Sequence, residues 1–155
     1  MNPHELDLFH LTSALRTGMM DSLTDADLAF TFPGSRTLGE LCVSMGDAER
    51  AYIDSFKTLK HDWSIHNAEP GLSGSVERLK AWYKALDAEF DATLRAIPDE
   101  DFQAKVVDRG GGFMMPLGGQ FHTYREALLI FCGKSDVYLR ALGNPLTEQW
   151  QGWIG

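Results

Sequence analysis

The stretch REALLIFCGKSDVYLRALGNP, residues 125–145, begins with a charged pair, continues as an apolar run and ends in a leucine-glycine-proline stop. Gly143 can adopt the left-handed conformation that closes many helices, and Pro145 prevents continuation of the helix. These signals predict a helix over residues 120–142. The pattern is typical of the last helix of a helical bundle.

Two further helices are indicated by apolar periodicity. The first is predicted over residues 3–22, with Asn2 as its cap and Pro3 in the first turn, where proline is tolerated. The other is predicted over residues 75–97, where apolar residues recur close to a heptad spacing, as bundle packing requires, and Pro98 ends it.

The remaining helix has the clearest start, because Thr37 and Glu40 are spaced as a capping box. Apolar residues follow on one stripe as far as about Lys57. The next segment, residues 58–74, is long, which suits a crossover along the bundle better than a tight antiparallel turn. The sequence therefore predicts an all-α four-helix bundle with a long crossover between helices two and three, in a single domain of residues 1–155.

Two segments outside these helices have patterns of their own. Residues 105–116, KVVDRGGGFMMP, are compatible with a small hairpin or with a glycine-rich loop, and they lack the GKS or GKT ending of a phosphate-binding loop. The tail, residues 146–155, carries Trp150 and Trp153, which we expect to pack onto the bundle or onto a partner chain.

Composition excludes several classes of protein. The net charge of −8 and pI near 5.0 argue against a nucleic-acid partner, since phosphate binding needs a clustered basic surface. No window approaches the roughly 18 apolar residues of a membrane helix, and the N-terminus lacks the order of a secretion signal. The missing apolar window predicts no membrane partner. The two cysteines lie far apart in the sequence, so we predict reduced thiols and a cytoplasmic location.

Three stretches carry a resemblance to a known family. TLGELCVSMGDAERAYIDSF of helix two, CGKSDVYLRALG of helix four and LRTGMMDSLTDADLAF of the opening helix resemble the DinB/YfiT-like four-helix-bundle superfamily. The resemblance implies a homodimer and a site of three histidines, one in helix two and two that lie four residues apart in helix four. Members with this site hold a divalent metal that activates a small thiol for transfer or isomerisation.

The ligand positions implied by this resemblance correspond here to Ser44, Ala127 and Phe131, none of which is an ordinary zinc or nickel ligand. Cys132 replaces the family's arginine and Lys134 its glutamine. We therefore expect no metal cofactor.

A phenyl ring at position 131 fills the volume of an imidazole and needs no polar partner. We predict that the former cavity is packed and that Asp47 balances Lys134 at its edge. The candidate pocket comprises the residues that share these helix faces: Ser44, Asp47, Tyr124, Ala127, Phe131, Lys134 and Tyr138.

Histidine and cysteine side chains are the alternative sources of chemistry in this sequence. No two histidines have the i, i+4 spacing of a helical metal site. For Cys42 and Cys132, the sequence favours a buried structural role over a nucleophilic one. The aromatic residues Phe30, Phe32 and Trp63 are compatible with a ligand pocket and with packing at the bundle ends.

Three hypotheses about function follow. The first is a metal-free, non-catalytic, dimeric binding, interaction or stress-associated protein. The second is a metal-dependent small-thiol S-transferase or isomerase that uses non-standard ligands. The third is a protein that holds a small apolar ligand where the metal would lie.

Overall fold

The four long helices dominate the computed structural model, which describes residues 3–155 and the side chains from residue 5 onward. The cap predicted at Asn2 lies outside the described residues. The elements in chain order are α1 (Pro3–Asp21), α2 (Asp25–Leu28), α3 (Leu38–Thr58), a 3-10 turn (Leu72–Gly74), α4 (Val76–Arg95), α5 (Asp101–Ala104), β1 (Val106–Asp108), β2 (Met114–Pro116), α6 (Leu117–Leu142) and α7 (Glu148–Trp153).

Helices α1, α3, α4 and α6 form the bundle, in which α3 and α1 each pack between α4 and α6 and therefore lie diagonally opposite each other. Contacts between α3 and α4 advance in the same direction along both helices: the Tyr83 hydroxyl donates to the Cys42 carbonyl, and Arg50 bonds to Glu89. The two helices are therefore parallel. A long connection is needed between parallel neighbours, so the predicted all-α bundle with its crossover is confirmed.

The strongest predicted helix boundaries are also confirmed. The Thr37 amide donates to the Glu40 carboxylate at 2.8 Å, and the Glu40 amide donates to the Thr37 hydroxyl at 3.1 Å, which completes the capping box at the start of α3. Gly143 closes α6 with φ 72°. Helix α6 begins at Leu117, earlier than predicted, because Pro116 occupies its N-cap and allows the following glycines to join the helix.

The glycine-rich segment forms the hairpin. Strands β1 and β2 pair antiparallel, with Val107 opposite Met115. The connecting residues Gly110, Gly111 and Gly112 have φ of 86°, 61° and 80°. Three consecutive left-handed residues are strained for any side chain, so the turn requires the glycines.

The tail packs onto its own bundle through α7. Trp150 is buried, and its indole nitrogen donates to Asp136 of α6 at 3.0 Å. Trp153 remains exposed. Within the described residues, no helix is both long and apolar enough to cross a membrane.

Candidate functional site

A surface groove, which we call the α3 groove, runs between α3 and the crossover. Its volume is about 650 Å³, within the range of small-molecule sites. It contains two of the residues predicted from the sequence, Ser44 and Asp47. The groove is lined by Arg36, Glu40, Val43, Ser44, Asp47, Ala48, Ala51, Trp63, Ile65, His66, Asn67, Glu69, Leu72 and Ser73.

The Arg36 side chain lies next to Ser44. Its Nη1 donates to the Ser44 hydroxyl oxygen at 3.0 Å. Its backbone carbonyl accepts a hydrogen bond from the Tyr138 hydroxyl at 2.8 Å. The Tyr138 ring packs edge-on against Phe30 and Phe32, with centroids 6.1 and 5.0 Å away. These contacts anchor the backbone of Arg36 to α6 and place its guanidinium beside Ser44.

The carboxylates of the groove are already engaged within the protein. Glu40 belongs to the capping box of α3, and Glu69 pairs with Arg78. Asp47 accepts the backbone amide of Asn67 at 2.7 Å and lies 3.2 Å from the His66 ring nitrogen Nδ1. By contrast, Arg36 forms no salt bridge with any described residue. The groove therefore offers one unpaired guanidinium.

The predicted pairing of Asp47 with Lys134 is wrong. Lys134 is exposed on α6 and forms no salt bridge with the described side chains, whereas Asp47 is bonded to the crossover. The crossover covers this face of α3 and supplies a backbone amide and a histidine. Asp47 therefore has closer partners than any residue of α6.

The other predicted residues lie outside the groove. Phe131 is only 4% exposed and belongs to the hydrophobic core, and Ala127 is half-buried against that core. Tyr124 is fully buried, with its ring centroid 4.5 Å from that of Phe90. The structure thus divides the predicted set between the α3 groove, the core and, for Lys134, the exposed surface of α6.

A buried ionic cluster, missed by the sequence analysis, lies at the centre of the bundle. Arg16 of α1 is 1% exposed and Glu49 of α3 is 0% exposed, and Arg16 Nη1 donates to Glu49 across the bundle diagonal. Arg16 Nη2 also donates to Asp87 at 2.8 Å, and the guanidinium lies 4.0 Å above the Tyr83 ring. Burial raises the pKa of Glu49 to about 7, against the opposing effect of Arg16. The only local signal was a charged residue next to the apolar Leu15.

The comparison with protein families agrees with this architecture. The chain matches the DinB superfamily over residues 9–131, well over half of its 155 residues. The chain belongs to the DinB superfamily. The matched region begins in α1, includes α3 and α4, and ends within α6 at Phe131. No curated protein matches the chain significantly.

The two cysteines of this DinB-superfamily chain are free and buried. Burial raises the pKa of both Cys42 and Cys132 to about 12, so neither thiol ionises near neutral pH. A thiolate is the nucleophilic form of cysteine. The geometry therefore favours the structural role that the sequence indicated.

The resemblance places three metal-ligand positions at Ser44, Ala127 and Phe131, where a divalent metal would need nitrogen, sulfur or carboxylate donors. Ala127 and Phe131 carry no donor atom, and the Ser44 oxygen accepts a hydrogen bond from a permanently charged guanidinium. Among the side chains that the structure describes, no three from histidine, cysteine, aspartate and glutamate are arranged to hold a metal ion. These residues do not fit a divalent metal.

Proposed function

We propose that this DinB-superfamily protein is a metal-independent, non-catalytic binding protein that holds a small carboxylate in the α3 groove. The observation that carries the proposal is the guanidinium of Arg36, which lies 3.0 Å from the Ser44 hydroxyl and has no acidic partner among the described residues. An arginine fork matches the geometry of a carboxylate. Arg36 thus supplies the positive charge that a metal supplies in histidine-bearing relatives.

Electrostatics favour this arrangement over a metal at the same place. A guanidinium stays charged at every physiological pH, so a divalent cation next to Ser44 would face a like charge at close range. A ligand with a negative group faces an attraction instead. The metal site is, on this proposal, degenerate, and the carboxylate binds without a cofactor.

The rest of the groove selects for an apolar body on the ligand. Val43, Ala48 and Ala51 of α3 form one wall, and Trp63 and Ile65 of the crossover form part of the opposite side. Burying apolar surface contributes roughly 25 cal/mol per Å². A short carboxylate with an alkyl or aromatic body therefore satisfies both parts of the groove.

Hexanoate and hexanamide provide a matched pair of probes, because they share an alkyl chain and differ in charge. We expect hexanoate to cause saturable NMR shifts at groove residues, and we expect Arg36→Gln to weaken its binding at least about tenfold. Hexanamide should bind wild type and variant alike. The control variant is Arg95→Gln, which removes an exposed arginine that is paired with Asp91 on α4.

Two results would contradict the proposal. One is equal hexanoate affinity in wild type and Arg36→Gln. The other is shifts that fall outside the groove altogether.

The alternative of a metal-dependent thiol transferase needs a different set of ligands, and no observation favours one. The groove carboxylates are held by the α3 cap, the crossover and Arg78. Recruiting them would break those contacts.

We also propose that the protein is a homodimer. Its support is a pair of exposed apolar side chains, Ile130 and Val137, which lie seven residues apart on one face of α6. Light scattering should give twice the chain mass, and a monomer would remove the proposal. The cytoplasmic location remains a prediction from the sequence, which fractionation of expressing cells would test.

A further inference from the structure

A second polar cluster lies where α3, the crossover, the hairpin turn and α6 meet. It consists of Tyr52, His61, Arg109 and Gln120, covered by the indole of Trp63. Of these residues only Trp63 also lines the α3 groove. The cluster therefore shares Trp63 with the α3 groove, but its polar groups are distinct from Arg36 and Ser44 of the carboxylate site proposed above.

The hydrogen bonds of this cluster fix the positions of its protons. Arg109 Nη1 lies 2.9 Å from Gln120 Oε1, and arginine can only donate, so this Gln120 atom must be the oxygen. The Gln120 amide nitrogen therefore faces His61 Nδ1 at 2.8 Å and donates to it. Since Nδ1 accepts, the proton of the neutral imidazole lies on Nε2.

This Nε2–H group has no acceptor among the described residues. His61 is only 7% exposed, and its Nε2 has no hydrogen-bond partner among the described residues. Burial, reinforced by the Arg109 charge, lowers the pKa of His61 to about 4, so the ring is neutral at pH 7. A buried donor without an acceptor is unfavourable, and an acceptor at Nε2 would remove this cost.

Arg109 adds a positive charge that nothing in the cluster neutralises. Its guanidinium is half-buried and donates to neutral groups, at 2.9 Å to Thr123 and at 3.4 Å to the Tyr52 hydroxyl. It forms no salt bridge with the described residues. The neighbouring carboxylates accept hydrogen bonds within their own turns, Asp62 from Ser64 and Asp108 from the Gly110 amide.

We propose that His61 Nε2 and the Arg109 guanidinium bind an oxyanion, the carboxylate or phosphate group of a small molecule, and that Trp63 closes this site. The His61 Nε2–H group lacks an acceptor among the described residues, and the Arg109 guanidinium lacks a negatively charged partner among them. One anionic acceptor would satisfy both groups. Arginine forks bind both carboxylate and phosphate.

Trp63 is positioned to act as the cover. Its ring centroid lies 3.9 Å from that of His61, and the Arg109 guanidinium lies 5.1 Å from the indole. The residue is nevertheless 62% exposed, and its indole nitrogen makes one long hydrogen bond, 3.4 Å, to the Arg109 carbonyl. The indole can therefore swing outward without opening the core.

The test uses inorganic phosphate and acetate as parallel probes at constant ionic strength, with the His61 Nε2 resonance as the NMR readout. We expect a saturable shift with at least one anion, and binding at least about tenfold weaker in Arg109→Gln. Trp63→Ala should bind more tightly than wild type, because no cover has to be displaced. A response to phosphate alone, to acetate alone or to both identifies the group and supports the site.

Arg95→Gln is the control, and its His61 resonance should respond to the anion as in wild type. Arg36→Gln removes the carboxylate site of the α3 groove and should leave this His61 response unchanged. Because Arg36→Gln removes the groove charge only, the two proposals fail independently. The proposal is overturned if neither anion shifts His61 even in Trp63→Ala, or if Arg109→Gln binds as wild type does.

Discussion

Replacing Arg16 with methionine is expected to lower the free energy of unfolding by about 3–5 kcal/mol, because it leaves the buried Glu49 carboxyl group without its charged partner. Glu49 is 0% exposed, and Arg16 is its hydrogen-bonded cation across the bundle diagonal. Asp87 loses the same guanidinium. Urea denaturation followed by circular dichroism measures the effect.

The double variant Arg16→Met with Glu49→Leu separates charge from packing. Replacing both members of a buried pair by apolar residues is often neutral or stabilising, so most of the lost stability should return. Arg95→Met, which breaks an exposed pair with Asp91, should change stability by less than about 1 kcal/mol. A loss below that size for Arg16→Met would contradict the role assigned to the cluster.

Gly39→Ala is expected to destabilise the protein by about 3 kcal/mol, although alanine is the better helix former. A Cβ at this position of α3 would lie 1.8 Å from the Ser73 carbonyl oxygen and 3.2 Å from that of Leu28. Both are backbone atoms, so the crossover itself would have to move. Thermal and urea denaturation measure the loss.

Gly133→Ala is the matched control, because it makes the same change inside α6, where a Cβ meets nothing within 4 Å. It should stabilise the protein by up to about 1 kcal/mol through helix propensity. If both variants shift stability in the same direction, the close approach of α3 and the crossover at Gly39 is wrong.

The fold was largely predictable because its signals are local in sequence. The capping box needs only Thr37 and Glu40, three residues apart, and the end of α6 needs only Gly143 and Pro145. The short helices α2, α5 and α7 were not predicted, since four to six residues carry too little periodicity to distinguish them from loops.

The site was less predictable because its contacts join distant parts of the chain. Arg16 and Glu49 are 33 residues apart and meet only across the bundle diagonal. Helical periodicity correctly placed Ser44 and Asp47 on the same face of α3. It could not show that the crossover covers this face. The same limit hid the link from Arg109 through Gln120 to His61, three residues on three different elements.

The central proposal is that this DinB-superfamily protein needs no metal, because the Arg36 guanidinium supplies the positive charge in the α3 groove. The most direct measurement is elemental analysis of untagged protein purified without chelator, combined with thermal denaturation after addition of zinc, nickel or manganese. We predict substoichiometric metal and no rise in Tm with any ion. About one tightly held ion per chain, with a corresponding rise in Tm, would contradict the account, because an ion that binds the folded state must stabilise it.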